Sequence, residues 1–77
     1  MYKLTLTMPD GAAVTQTTRR PGITHAVVQR RPNQDTTWTW HIVNLCTSDT
    51  QAMNRARERS ITEHLPCATA QVTAQPA

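Results

Sequence analysis

The sequence predicts a small α+β domain: a four-stranded antiparallel meander, one C-terminal helix packed on one of its faces, and a flexible tail. Three observations carry this expectation. Turn chemistry recurs at Pro9-Asp10-Gly11, Arg20-Pro21-Gly22-Ile23 and Pro32-Asn33-Gln34-Asp35. The stretches between those turns are rich in Thr, Val, Ile and Trp, which suit a pleated surface. A helix start then follows at Ser48-Asp49-Thr50-Gln51. Short turns between successive strands favour pairing of neighbours, and a helix after the last strand folds back over the sheet.

Taken in order, Tyr2, Leu4, Leu6 and Met8 alternate with Lys3, Thr5 and Thr7, the pattern of a half-buried strand. In the turn that follows, proline presets one φ and Gly11 accepts a positive one. The second strand, Ala13 to Arg19, is threonine-rich and reads as an edge. Pro21 and Gly22 occupy the central positions of a type II turn. The third strand, Ile23 to Arg30, contains His25-Ala26-Val27-Val28 and belongs nearer the middle. The fourth, from Thr36 to Leu45, holds both tryptophans.

Alternation puts Trp38, Trp40, Ile42 and Asn44 on one face of this fourth strand, and Thr39, His41, Val43 and Leu45 on the other. Both faces are partly apolar, as in an interior strand or in one whose faces are exchanged by a bulge near His41.

Ser48 to Gln51 forms a capping box, in which Ser48 accepts from the Gln51 amide and Gln51 reaches back. Asp49 adds a negative charge where the helix dipole favours it. The helix should run from Asp49 to Ser60, or to Leu65 at the farthest, because Pro66 forbids continuation. Ala52, Met53, Ala56 and Ser60 form its inward stripe, and Arg55, Glu58, Arg59 and Thr62 lie opposite. One domain over residues 1–66 and a tail over 67–77 follow. CATAQVTAQPA has little to bury, and a short strand around Ala70 to Thr73 is the alternative for the tail.

Composition bounds the function classes. A 77-residue chain with 38% hydrophobic residues and no Phe has a thin core. No apolar run reaches the ~18 residues of a membrane span. A cytoplasmic location with Cys46 and Cys67 as reduced thiols is the expectation. With two glycines there is no phosphate-cradling loop, and the five carboxylates are scattered, three of them (Asp10, Asp35 and Asp49) in turns or the helix start. No catalytic constellation is legible, so the expectation is a protein that is not an enzyme and carries no cofactor.

Three binding chemistries remain. His41, Cys46, His64 and Cys67 include a His-x-x-Cys spacing compatible with zinc, although alternation sends His41 and Cys46 to opposite faces. Arg19, Arg20, Arg30, Arg31, Arg55 and Arg59 are nucleic-acid handles, yet the net charge is only +3 and a meander would separate the two pairs. If Trp38, Trp40 and Ile42 face away from the helix, they form an apolar patch that pairs with a second copy or anchors a partner protein. Small Ala52 and Ala56 favour that orientation, since they fit over Val43 and Leu45 better than over two indoles.

The stretch from Ile23 to Arg59 resembles small accessory proteins of actinobacterial phages. The matching parts are Thr24-His25-Ala26-Val27-Val28, the strand Trp38 to Leu45, and the Ser48-capped, Ala- and Arg-rich helix to Arg59. The resemblance covers about half the chain and implies a viral accessory protein that docks on a host or viral protein. It supplies no site residues.

Overall fold

The computed structural model describes residues 1–77 as an α+β domain of five strands and one helix. The elements are β1 (Tyr2–Thr7), β2 (Ala13–Thr18), β3 (His25–Pro32), β4 (Trp38–Cys46), α1 (Asp49–Glu63) and β5 (Cys67–Pro76). The sheet is antiparallel throughout, in the order β2-β1-β5-β3-β4. The α+β class and the first four strands agree with the sequence reading. The meander does not.

The segment expected to be a tail is the central strand. β5 pairs with β1 through its second half, Leu6 opposite Val72, and with β3 through its first half, Ala26 opposite Ala70. Both β4 and β5 run antiparallel to β3, so they are parallel to each other, and α1 is the crossover that such a pair requires. The helix is therefore internal to the fold and not C-terminal. Its alternation, hidden by small side chains, puts Ala68, Ala70, Val72 and Ala74 on one face and Thr69, Gln71, Thr73 and Gln75 on the other. Bulk comes from the neighbours: Leu4 and Leu6 of β1 and Val28 of β3 are buried beside Ala70 and Val72. The sheet curls, and the strand at the bend carries small residues where its neighbours carry large ones.

Two cores result. The larger lies on the inside of the curl and holds Leu4, Leu6, Met8, Ile23, Ala26, Val28, Ala70 and Val72, with Trp40, Ile42 and Leu45 packed against it. The smaller lies under the helix and holds Val27, Cys46 and Ala52, flanked by Val43, Ala56 and Cys67. Burying one Leu or Val side chain is worth about 1.5–3 kcal/mol, so the larger cluster dominates. Met53, placed on the inward stripe by the sequence reading, is exposed.

β2 and β3 do not pair. Gly22 takes the positive φ of 77° that the expected turn needs. Ile23 then enters the larger core and carries the chain away from β2. A turn sets local angles, and the burial of Ile23 decides where the next strand goes. β2 is an edge strand, as expected, but β4 is the other edge and not an interior strand.

The two hairpins share one loop geometry. In the first, Met8 N–H donates to Ala12 O, Gly11 N–H to Met8 O and Ala12 N–H to Asp10 Oδ1. In the second, Asn33, Thr36 and Thr37 N–H groups donate in the same way to Thr37 O, Asn33 O and Asp35 Oδ1. The left-handed position is Gly11 in one loop (φ 91°) and Thr36 in the other (φ 69°), where a β-branched side chain is strained.

The helix start is the one expected: Ser48 is extended, and its Oγ accepts from Gln51 N–H at 3.1 Å. Gln51 reaches one residue further back than the capping box implies, accepting from Thr47 N–H at 2.9 Å. The helix ends at Glu63 because His64 turns left-handed (φ 57°) and donates its N–H to Ser60 O, two residues before Pro66.

Candidate protein-binding site

Trp38, Trp40 and Ile42 share the face opposite the helix, as the sequence reading favoured. Their cross-strand partners Pro32, Arg30 and Val28 fix this, since Val28 belongs to the core inside the curl. The register slips between Val27 and Val28, leaving Val43 as the extra residue of a bulge. The sequence reading offered a bulge near His41 only as the alternative to an interior strand, and the bulge that forms lies two residues further on. Val43 stays under the helix, but the bulge turns Leu45 to the opposite face, into the larger core, so the expected packing of Ala52 and Ala56 over Leu45 is not formed.

The tryptophan face is not bare, because the curl covers part of it. Trp40 and Ile42 are half-buried against the core, whereas Trp38, beside the hairpin loop, is 46% exposed. The Arg30 guanidinium carbon lies 5.8 Å from the Trp38 ring centroid. Such a cation–π contact is worth about 0.5–1 kcal/mol when exposed, and it holds one side of the indole in place. Trp38 thus has Arg30 against its ring and nearly half of its surface open to solvent.

The six arginines do not form one surface. Arg19 and Arg20 lie in the loop before β3, and Arg30 and Arg31 at its far end, on opposite faces. The separation expected from a meander therefore holds for another reason: both pairs flank the same strand. Arg31 and Arg59 are committed to internal hydrogen bonds. Arg31 Nε donates to Gln29 Oε1 at 2.6 Å, and Arg59 donates through Nε to Asn44 Oδ1 at 2.6 Å and through a terminal N–H to Glu63 at 2.9 Å.

These bonds belong to a polar network that the sequence reading missed. Gln29 is fully buried on the helix-side face of β3 and donates Nε2 to Glu63 at 3.1 Å, with Cys67 Sγ at 3.6 Å. The Gln29 and Arg59 hydrogen bonds hold the Glu63 carboxyl below its ordinary pKa. A furrow of about 360 Å³ runs beside the network, lined by Asn44, Arg55, Glu58, Arg59, Thr62 and Glu63, with no hydrophobic residue. The only signal in the sequence was a glutamine, Gln29, in the run after Val27-Val28, where an apolar residue is usual.

The zinc set is dispersed. His41 bonds to Thr39, Cys46 is buried near the start of the helix, His64 caps its end, and Cys67 donates to Leu65 O. No three His, Cys, Asp or Glu side chains are placed to share a metal ion. Burial raises the Cys46 pKa, partly opposed by the nearby Arg55 and Arg20. No helix is long and apolar enough to cross a membrane.

No family model matches this chain, and no curated protein or solved structure matches it.

Proposed function

We propose that this chain is a small non-catalytic binding module, carried as an accessory protein by an actinobacterial phage, that docks on a host or viral protein in the host cytoplasm. The exposed Trp38 carries the reading. It is a large apolar side chain held by Arg30 at the open end of a face that continues through Trp40 and Ile42 into the core. Tryptophan and arginine are the residue types that dominate protein-binding surfaces, where they act as rigid anchors ringed by weaker contacts. The phage origin rests on the likeness of residues 23–59 alone.

The test is capture of host and viral proteins on the immobilised chain, with Trp38→Ala as control. Trp38 is exposed, so the variant should fold. Wild type should retain a protein through a high-salt wash, and Trp38→Ala should lose it. Equal capture by both refutes the reading. Capture that disappears with salt and with nuclease would transfer the function to the arginines and nucleic acid.

A further inference from the structure

The geometry points to a two-fold dimer in which the β4 edges of two copies pair antiparallel, centred on Trp40. This deepens the protein-binding reading and rests on the same strand, but it uses the backbone of β4 where that reading uses its side chains.

The free groups follow from the register. Arg30 N–H donates to Pro66 O, on the side away from β4. Arg30 and Trp40 are directly opposite, so they form a non-hydrogen-bonded pair, and the N–H and C=O of Trp40 point to the open edge. Alternation gives the same orientation to Trp38, whose partner Pro32 has no N–H to offer, and to Ile42 up to the bulge. β4 has no second neighbour, and the outer strands β2 and β4 do not meet to close the curl.

Natural edge strands are guarded by charge, proline or a bulge. Trp-Thr-Trp-His-Ile-Val-Asn-Leu-Cys contains no Lys, Arg, Asp, Glu or Pro, and its bulge at Val43 shields only the second half. The unguarded half, Trp38 to Ile42, is complementary to itself. Centred on Trp40, antiparallel pairing sets Trp40 opposite Trp40, Trp38 opposite Ile42, and Thr39 opposite His41 in the other copy. Aromatic and β-branched side chains then pair across strands, and no fixed charge faces its like. A residue i that contacts j while j contacts i is the condition for a closed two-fold interface. The nearest cations are the two Arg30 residues, whose backbones are three strand spacings apart, about 14 Å, and whose guanidiniums each lie over Trp38 of their own copy.

Pairing of the edges leaves the tryptophan side chains on the sheet face. The dimer joins two Trp38-Trp40-Ile42 sets into one strip across the two-fold axis, so the docking surface is doubled and not consumed.

Light scattering and amide exchange on the whole chain test this. Wild type should show twice the mass of one chain and protect the Trp38 and Trp40 amides, which have no acceptor within one copy. Thr39→Lys with His41→Lys alters two exposed side chains on the other face of β4 and sets lysines opposite lysines across the axis. It should give a folded monomer in which the Trp38 and Trp40 amides exchange freely while the backbone amides at positions 39 and 41 remain protected. If the double variant does not fold, dilution of wild type must expose the same two amides as the mass halves. A monomeric wild type, a dimer that survives the lysines, or a dimer with unprotected Trp38 and Trp40 amides overturns the pairing. A monomer that captures a partner through Trp38 overturns only the dimer. A lysine-sensitive dimer whose capture ignores Trp38 overturns only the docking surface.

Discussion

Removing residues 68–77 is expected to unfold the protein, and Val72→Ala is expected to weaken it by a measurable step. β5 is the only element whose backbone borders both hairpins, β1–β2 on one side and β3–β4 on the other. Without it the hairpins share no sheet, and an isolated two-stranded hairpin is marginal in water. The truncated chain also loses buried Ala70 and Val72 from the larger core. A domain of this size has ~5 kcal/mol to lose, less than the combined loss of two ladders and part of a core. For Val72→Ala, two methyl equivalents at ~0.8 kcal/mol each, plus a small cavity, give about 2 kcal/mol. At ~4–8 °C per kcal/mol for a domain of this length, Tm should fall by ~8–16 °C. Thermal melts followed by far-UV circular dichroism at matched concentrations read both effects. A cooperative melt near the wild-type midpoint for the truncated chain would refute the five-stranded sheet and restore a mobile tail. A Val72→Ala shift under about 3 °C would show that residue 72 is not in the core.

Three further outcomes follow from the loops, the cap and the network. Ser48→Ala should cost ~0.5–2 kcal/mol, because Gln51 N–H loses its acceptor; an unchanged Tm would mean that the helix starts elsewhere. Thr36→Gly should stabilise: relief of ~1–2 kcal/mol of left-handed strain exceeds the ~0.5–1 kcal/mol entropic cost of glycine, as Gly11 already shows in the twin loop. A lower Tm for this variant would contradict the shared loop geometry. Glu63 has a folded-state pKa below its ordinary 4.5. Its contribution is therefore fully present above 4.5 and is lost as pH falls through the lower folded value. Denaturant melts between neutral and acid pH should fall less steeply for Glu63→Gln than for wild type, and parallel curves would remove Glu63 from the network's energetics.

Local chemistry was legible wherever neighbours in sequence decide it. The period-two alternation of β1, the turns at Asp10 and Asp35, the positive φ of Gly22 and the Ser48 cap are each set by a few adjacent residues. So was the side of β4 on which the tryptophans lie, although of the two residues expected beneath Ala52 and Ala56 only Val43 is there. The arrangement of strands was not legible, because the deciding interactions are distant in sequence. Cys67–Pro76 looks like a polar tail because its core-facing residues are mostly alanines. Only the curl, with Leu4 and Leu6 on one side and Val28 on the other, makes small side chains the right filling for a central strand. Gln29 likewise reads as a misplaced polar residue until Glu63, 34 positions later, and Arg31 supply its partners. A four-stranded meander also ends on β4, and whether a fifth strand covers that edge depends on where β5 inserts. Once β5 takes the place between β1 and β3, β4 is left with backbone groups unpaired beside its tryptophans.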